Sequence, residues 1–142
     1  MDSNKRKLLL RDISARLEQG VIAEGVYTEE ASYEIPYNHK ETVIGRVEGI
    51  DHVGFDDGEV YVTVDGIPCE LGDVKPYLRS MKDMTDNEKK EMIYLCLKYT
   101  PGGEVEKMVS ALLEFYNKYH LDYQGLIEFG LAIRVTEENN PY

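Results

Sequence analysis

The sequence predicts an α+β fold from three observations. Apolar residues recur at helical spacing before Gly20, period-two alternation broken by Asp-Gly pairs runs from Val21 to Leu71, and a capped helical pattern begins at Thr85. Each element follows from local chemistry, taken here in chain order.

Leu9, Leu10, Ile13 and Leu17 place one apolar stripe on a helix from about Lys5 to Glu18, and Gly20 stands where a left-handed residue ends such a helix. The period then changes to two. Val21, Ala23 and Val26 open a first strand, Thr42 to Ile50 form a second, Val60, Val62 and Val64 alternate with Tyr61 and Thr63 in a third, and Ile67, Cys69 and Leu71 give a short last one. Asp57-Gly58 and Asp65-Gly66 are hairpin signals, because the tight turns of hairpins need positive φ. Four or five short antiparallel strands in about fifty residues are too few for a sandwich. They suit a small bent antiparallel sheet or SH3-like barrel, with residues 73–78 (DVKPYL) as a single helical turn near its end.

Thr85-Asp86-Asn87-Glu88 is a capping box, in which the Thr hydroxyl and the Glu carboxylate satisfy amides at a helix start. The helix it opens runs to about Tyr99, with Met92, Ile93, Cys96, Leu97 and Tyr99 as its expected buried stripe. Thr100-Pro101-Gly102-Gly103 stops it. A second helix from about Glu104 to Tyr119 carries Val105, Met108, Val109, Leu112, Phe115, Tyr116 and Tyr119 on one face, and the short connection makes the two an antiparallel helical hairpin. His120 falls in the last helical turn, where a cation favours the dipole. Residues 1–79 thus form helix plus sheet, and residues 80–142 the hairpin and a tail packed on it, as one unit.

With 142 residues, 42% hydrophobic and 30% charged, the chain has enough apolar material for a core without disulfides or metal. Cys69 and Cys96 sit in apolar contexts and read as reduced, buried thiols. Together with the absence of any apolar run near the ~18 residues of a membrane span, this predicts a cytoplasmic protein with no membrane partner. Net charge is −11, and residues 21–80 hold thirteen acidic against four basic side chains. Such a surface repels a phosphate backbone, so nucleic acid is disfavoured as a partner. The basic residues Lys5, Arg6, Lys7 and Arg11 at the start are the one group that favours it.

No reaction is legible. His39, His52 and His120 do not pair on a helix face, and neither CxxC nor HExxH occurs, so no metal or other cofactor is expected. The acidic stretch Asp51–Glu59 lacks the alternating carboxylates and distant Glu of a calcium loop. No GxSxG surrounds a serine, and neither a GxGxxG nor a P-loop appears. A hydrolase built on Cys69 or His52 would need an activated thiol or a paired base, which the apolar setting of Cys69 opposes.

Tyrosine is the unusual residue: eleven, against three phenylalanines and no tryptophan. Its hydroxyl suits half-wet surfaces and interfaces. Tyr33, Tyr37 and Tyr61, with Asp56 and Asp57, are therefore the candidate partner-binding residues of a non-enzymatic protein-interaction module. The alternative is an acidic DNA mimic that inhibits a host nucleic-acid enzyme. No catalytic residues are assigned.

Three blocks, residues 8–21 (LLLRDISARLEQGV), 74–85 (VKPYLRSMKDMT) and 120–132 (HLDYQGLIEFGLA), with residues 88–91 (EKKE), resemble a family of small uncharacterised proteins encoded by phages and mobile elements of gut anaerobes. Relatives usually carry tryptophan at the position of Phe115 and arginine at that of Gln124. The resemblance implies a phage-related role and supplies no catalytic residue or ligand.

Overall fold

The computed structural model describes residues 1–53 and 59–142. Helix α1 (Ser3–Arg16) starts at Asp2, whose carboxylate accepts the Lys5 amide at 2.8 Å. It ends in a 3-10 turn closed by Gly20, at φ 75°. Strand β1 (Ile22–Glu29) pairs antiparallel with β2 (His39–Val53), from Ile22 opposite Arg46 to Glu29 opposite His39. A register shift between Val47 and Gly49 bends β2, and its second half pairs with β3 (Glu59–Val64). Asp65 and Gly66, both at positive φ, turn the chain into β4 (Ile67–Glu70).

Residues 73–78 are not the helical turn expected of them. The turn is a 3-10 segment at Leu71–Asp73, and Val74–Leu78 is a strand, β5, lying antiparallel to β1 with Pro76 opposite Ala23. Four of its five side chains are buried, which hides the period-two signal, and its proline reads as a turn residue in isolation. Tyr142 compensates: its hydroxyl accepts the Ile22 amide at 3.1 Å and donates to the Tyr77 carbonyl at 2.7 Å, joining β1 to β5 beside the proline. A two-residue strand β6 (Ile133–Arg134) then adds parallel to β5. The order β4-β3-β2-β1-β5-β6 gives one mixed sheet among the described residues, open at β4 and β6 and not closed into a barrel.

Leu9 and Ile13 of α1 are fully buried against Val21, Ala23, Val47, Val62, Val64 and Leu78, with Leu126 and Leu131 of the C-terminal segment closing the core. Burial of each large aliphatic side chain is worth roughly 1.5–3 kcal/mol. A buried ion pair lies beneath this layer. The Arg16 guanidinium donates to Asp12 at 2.9 and 3.1 Å and to the Leu121 carbonyl at 2.7 Å, with both side chains fully buried. Gln124 donates its side-chain amide to Asp12 at 3.1 Å, so its side chain serves the fold from within.

Helices α2 (Asp86–Tyr99) and α3 (Val105–Lys118) form the hairpin, with the Thr85–Glu88 capping box in place. Glu88 also receives both Arg79 Nη atoms at 2.7 Å. The hairpin rests on a second, smaller core of Met84, Phe115 and Leu121, against which Met92, Leu95, Tyr116 and Tyr119 pack. The expected stripe of α2 is therefore only partly right. Ile93 and Leu97 are 53% and 65% exposed, because the seam runs through Met92 and Leu95 instead. Cys96 is half-buried.

His120 also departs from expectation. It lies past the end of α3 at φ 58°, stacked on Tyr142 with ring centroids 3.7 Å apart. Burial first, then Arg16 and Arg79, push its pKa down to about 4, so the ring is neutral and does not act as a cation at the helix end.

Candidate recognition groove

The inner face of β1 carries Ala23, Gly25, Tyr27 and Glu29 in succession, since alternate residues share a face. The first two lie in the core, and the last two emerge from it. Gly25 permits the chain to cross close over β4, for a Cβ there would stand 2.6 Å from the Cys69 Sγ. Beside this crossing lies a groove of about 400 Å³ lined by Tyr27, Lys40, Tyr61, Ile67, Pro68, Glu70 and Asp73 among others.

The Tyr61 hydroxyl donates to the Glu59 carboxylate, and that bond, then burial, raises its pKa. Burial, then Glu29 and Glu41, raise that of Tyr27. Both phenols thus remain neutral and able to donate. Cys69 is buried beside them. Burial, then Asp73, push its thiol upward, away from the thiolate a nucleophile requires.

Of the candidate residues read from the sequence, the groove gathers Tyr61 alone. Tyr33 and Tyr37 lie in the 30–38 connection and are 103% and 64% exposed, away from the groove lining. That connection is held by the Ala31 amide on Asn38 at 2.7 Å and the Ser32 amide on the Ile35 carbonyl at 2.7 Å. Asp56 and Asp57 lie outside the described residues. Tyr27, Glu70 and Asp73 are not among the partner-binding candidates read from the sequence, although Tyr27 belongs with Tyr33, Tyr37 and Tyr61 to the tyrosines in or beside the acidic sheet. The alternation of β1, which puts Tyr27 on the same face as Ala23, was the signal that could have found the first of them.

A second grouping was equally invisible to a search along helices: Glu29, His39 and Glu41, whose ligand-type atoms lie within 4.8 Å of one another. The β1–β2 register sets Glu29 opposite His39, and Glu41 is two residues farther along the same face. No helix among the described residues is long and apolar enough to cross a membrane. Comparison with protein-family models, with curated proteins and with solved structures found no match to this chain.

Proposed function

We propose that the protein is a non-enzymatic protein-interaction module that takes an extended, basic segment of a partner protein into the groove between β1 and β4. The observation that carries this reading is the conjunction of two phenol-bearing side chains, Tyr27 and Tyr61, with Glu70 and Asp73 in one concave site. Aromatic walls offer apolar area at little conformational cost, and the carboxylates favour Lys or Arg while discouraging acidic competitors. The groove belongs to the stretch of chain that holds most of the negative charge. For this part of the fold the finer reading we propose is an SH3-like strand arrangement left open rather than closed, which the order β4-β3-β2-β1-β5 and the 3-10 turn between β4 and β5 support.

A phage or mobile-element origin, and action on a host protein in the cytoplasm, fit the three sequence blocks and the paucity of cysteine. The DNA-mimic alternative has less in its favour, because Lys40 and the tyrosine hydroxyls interrupt the carboxylates around the groove.

The test is selection of binders from a random-peptide library on the full chain, followed by fluorescence polarisation. Enriched peptides should carry Lys or Arg beside apolar residues, and Tyr61→Ala or Asp73→Lys should weaken them by about tenfold or more. Tyr33→Ala should leave binding unchanged. Enrichment without a charge bias, or binding indifferent to Tyr27, Tyr61 and Asp73 substitutions, would sink the proposal.

A further inference from the structure

We infer that Glu29, His39 and Glu41 form a binding site for a divalent transition-metal ion of the Zn²⁺ type. The placement starts with the sheet. Glu29 and His39 are cross-strand partners, Glu41 faces Tyr27 one step along, and all three continue the face that Ala23, Gly25 and Val43 turn toward the core. Strand pairing therefore fixes their backbones, and only short side-chain torsions separate the donor atoms.

Two features of His39 point to a cation rather than to a plain polar cluster. Its Nδ1 lies 3.4 Å from the Tyr37 carbonyl, and the Tyr37 ring meets the imidazole edge-on at 5.9 Å. The Nδ1–H tautomer would donate to that carbonyl and leave the Nε2 lone pair pointing the other way, as in metal-binding histidines whose second nitrogen is held by a backbone acceptor. The Nε2 atom itself is buried and makes no hydrogen bond, although Glu29 Oε2 is 3.3 Å away and Glu41 Oε1 3.1 Å. Neither oxygen is aligned with the ring nitrogen's axis. Two carboxylate oxygens within 3.3 Å of one ring nitrogen are favourable together only when a positive charge sits among the three atoms.

The spacing suits a metal ion. Ligands bonded at about 2.0 Å in a tetrahedron stand roughly 3.3 Å apart, and the two distances from Nε2 are close to that edge. One imidazole with two carboxylates is a donor set for Zn²⁺ and its neighbours, not for Mg²⁺ or Ca²⁺, which prefer oxygen alone. Glu29 and Glu41 are 56% and 47% exposed at the side chain, so the remaining coordination positions open to solvent. A bound ion would clip the 30–38 connection to the sheet through Tyr37 and His39, at the mouth of the groove where Tyr27 stands. This site stands independently of the peptide-binding reading.

The experiment is calorimetric titration of Zn²⁺ into the chelator-treated full chain, paired with the visible spectrum of Co²⁺. Expected are one site per chain, an intense low-symmetry Co²⁺ band, no competition from excess Mg²⁺, loss of both signals in His39→Ala, and about tenfold or greater weakening in Glu29→Gln and in Glu41→Gln. His52→Ala should bind as the native chain does. Circular dichroism of each variant shows that it folds, and the two Glu→Gln changes keep the test open should His39→Ala not. Binding that survives all three substitutions means ions held elsewhere. No binding at millimolar Zn²⁺ means that a proton, not a metal, sits between the carboxylates. Either result overturns the assignment.

Discussion

The pair of Asp12 and Arg16 offers the sharpest test of how this fold is held together. Both side chains are fully buried. Arg16 makes two hydrogen bonds to Asp12 and one to the Leu121 carbonyl, and its guanidinium carbon lies 5.2 Å from the centroid of the Tyr123 ring. Burial is the largest influence on the Asp12 carboxyl and raises its pKa, with Arg16 opposing the rise and nearby Asp122 adding to it. A buried pair of this kind matters chiefly because neither half can stand alone. Arg16→Met should cost about 3–5 kcal/mol, since it strands a buried carboxylate with only Gln124 for company and takes from the Leu121 carbonyl one of its two donors, the Tyr123 amide being the other. At roughly 2–4 °C per kcal/mol for a chain of this size, the melting temperature should drop by on the order of 10 °C. Asp12→Leu alone should be comparably harmful, whereas Asp12→Leu with Arg16→Met should recover more than half of either loss, the remainder reflecting the hydrogen bond lost at the Leu121 carbonyl. Urea unfolding followed by circular dichroism and tyrosine fluorescence supplies the numbers. A single-variant cost below about 1 kcal/mol, or a double variant as damaged as the two losses combined, would refute the reasoning.

Two further outcomes follow from groups already described. His120 binds a proton less readily in the native state, with a pKa near 4 against an ordinary 6.5, so its stabilising contribution is complete above pH 6.5 and is lost as the pH falls from there through 4. Urea midpoints between pH 7 and 4 should therefore decline less steeply in His120→Asn, a residue that tolerates the positive φ; equal slopes would remove His120 as the cause. Gly25→Ala should destabilise by about 1–3 kcal/mol through collision with Cys69, and adding Cys69→Ala should relieve much of it in a double-mutant cycle. If the cysteine change brings no relief, β1 does not cross β4 as closely as described.

Legibility in the sequence followed range. The capping box at Thr85–Glu88, the left-handed Gly20 and the Asp65-Gly66 turn all depend on contacts within about four residues, and all three stand where the chain's chemistry put them. The α+β class and the burial of Cys69 followed from periodicity alone. What escaped depends on partners far along the chain. Pro76 could enter a strand because Tyr142, sixty-six positions later, supplies hydrogen bonds beside it. His120 lost its charge to the same tyrosine ring's company and to two arginines from other elements. The exposed Ile93 and Leu97 show that an apolar stripe marks which face a helix can bury, not how much of its length the rest of the molecule covers. The groove and the Glu29–His39–Glu41 grouping were unreadable because each needs the β1–β2 register and the crossing over β4, neither of which any local pattern encodes.

The free margin at β4 bears on how selective a visitor to this molecule must be. That strand is four residues long, and Pro68 withholds one of its amide donors. A guest chain therefore finds few main-chain partners along β4, and main-chain pairing is the route by which unrelated polypeptides stick to open sheets and seed fibrils. Anything that lodges there must be discriminated largely by its side chains, which makes this margin a poor template for stacking and a demanding one for guests.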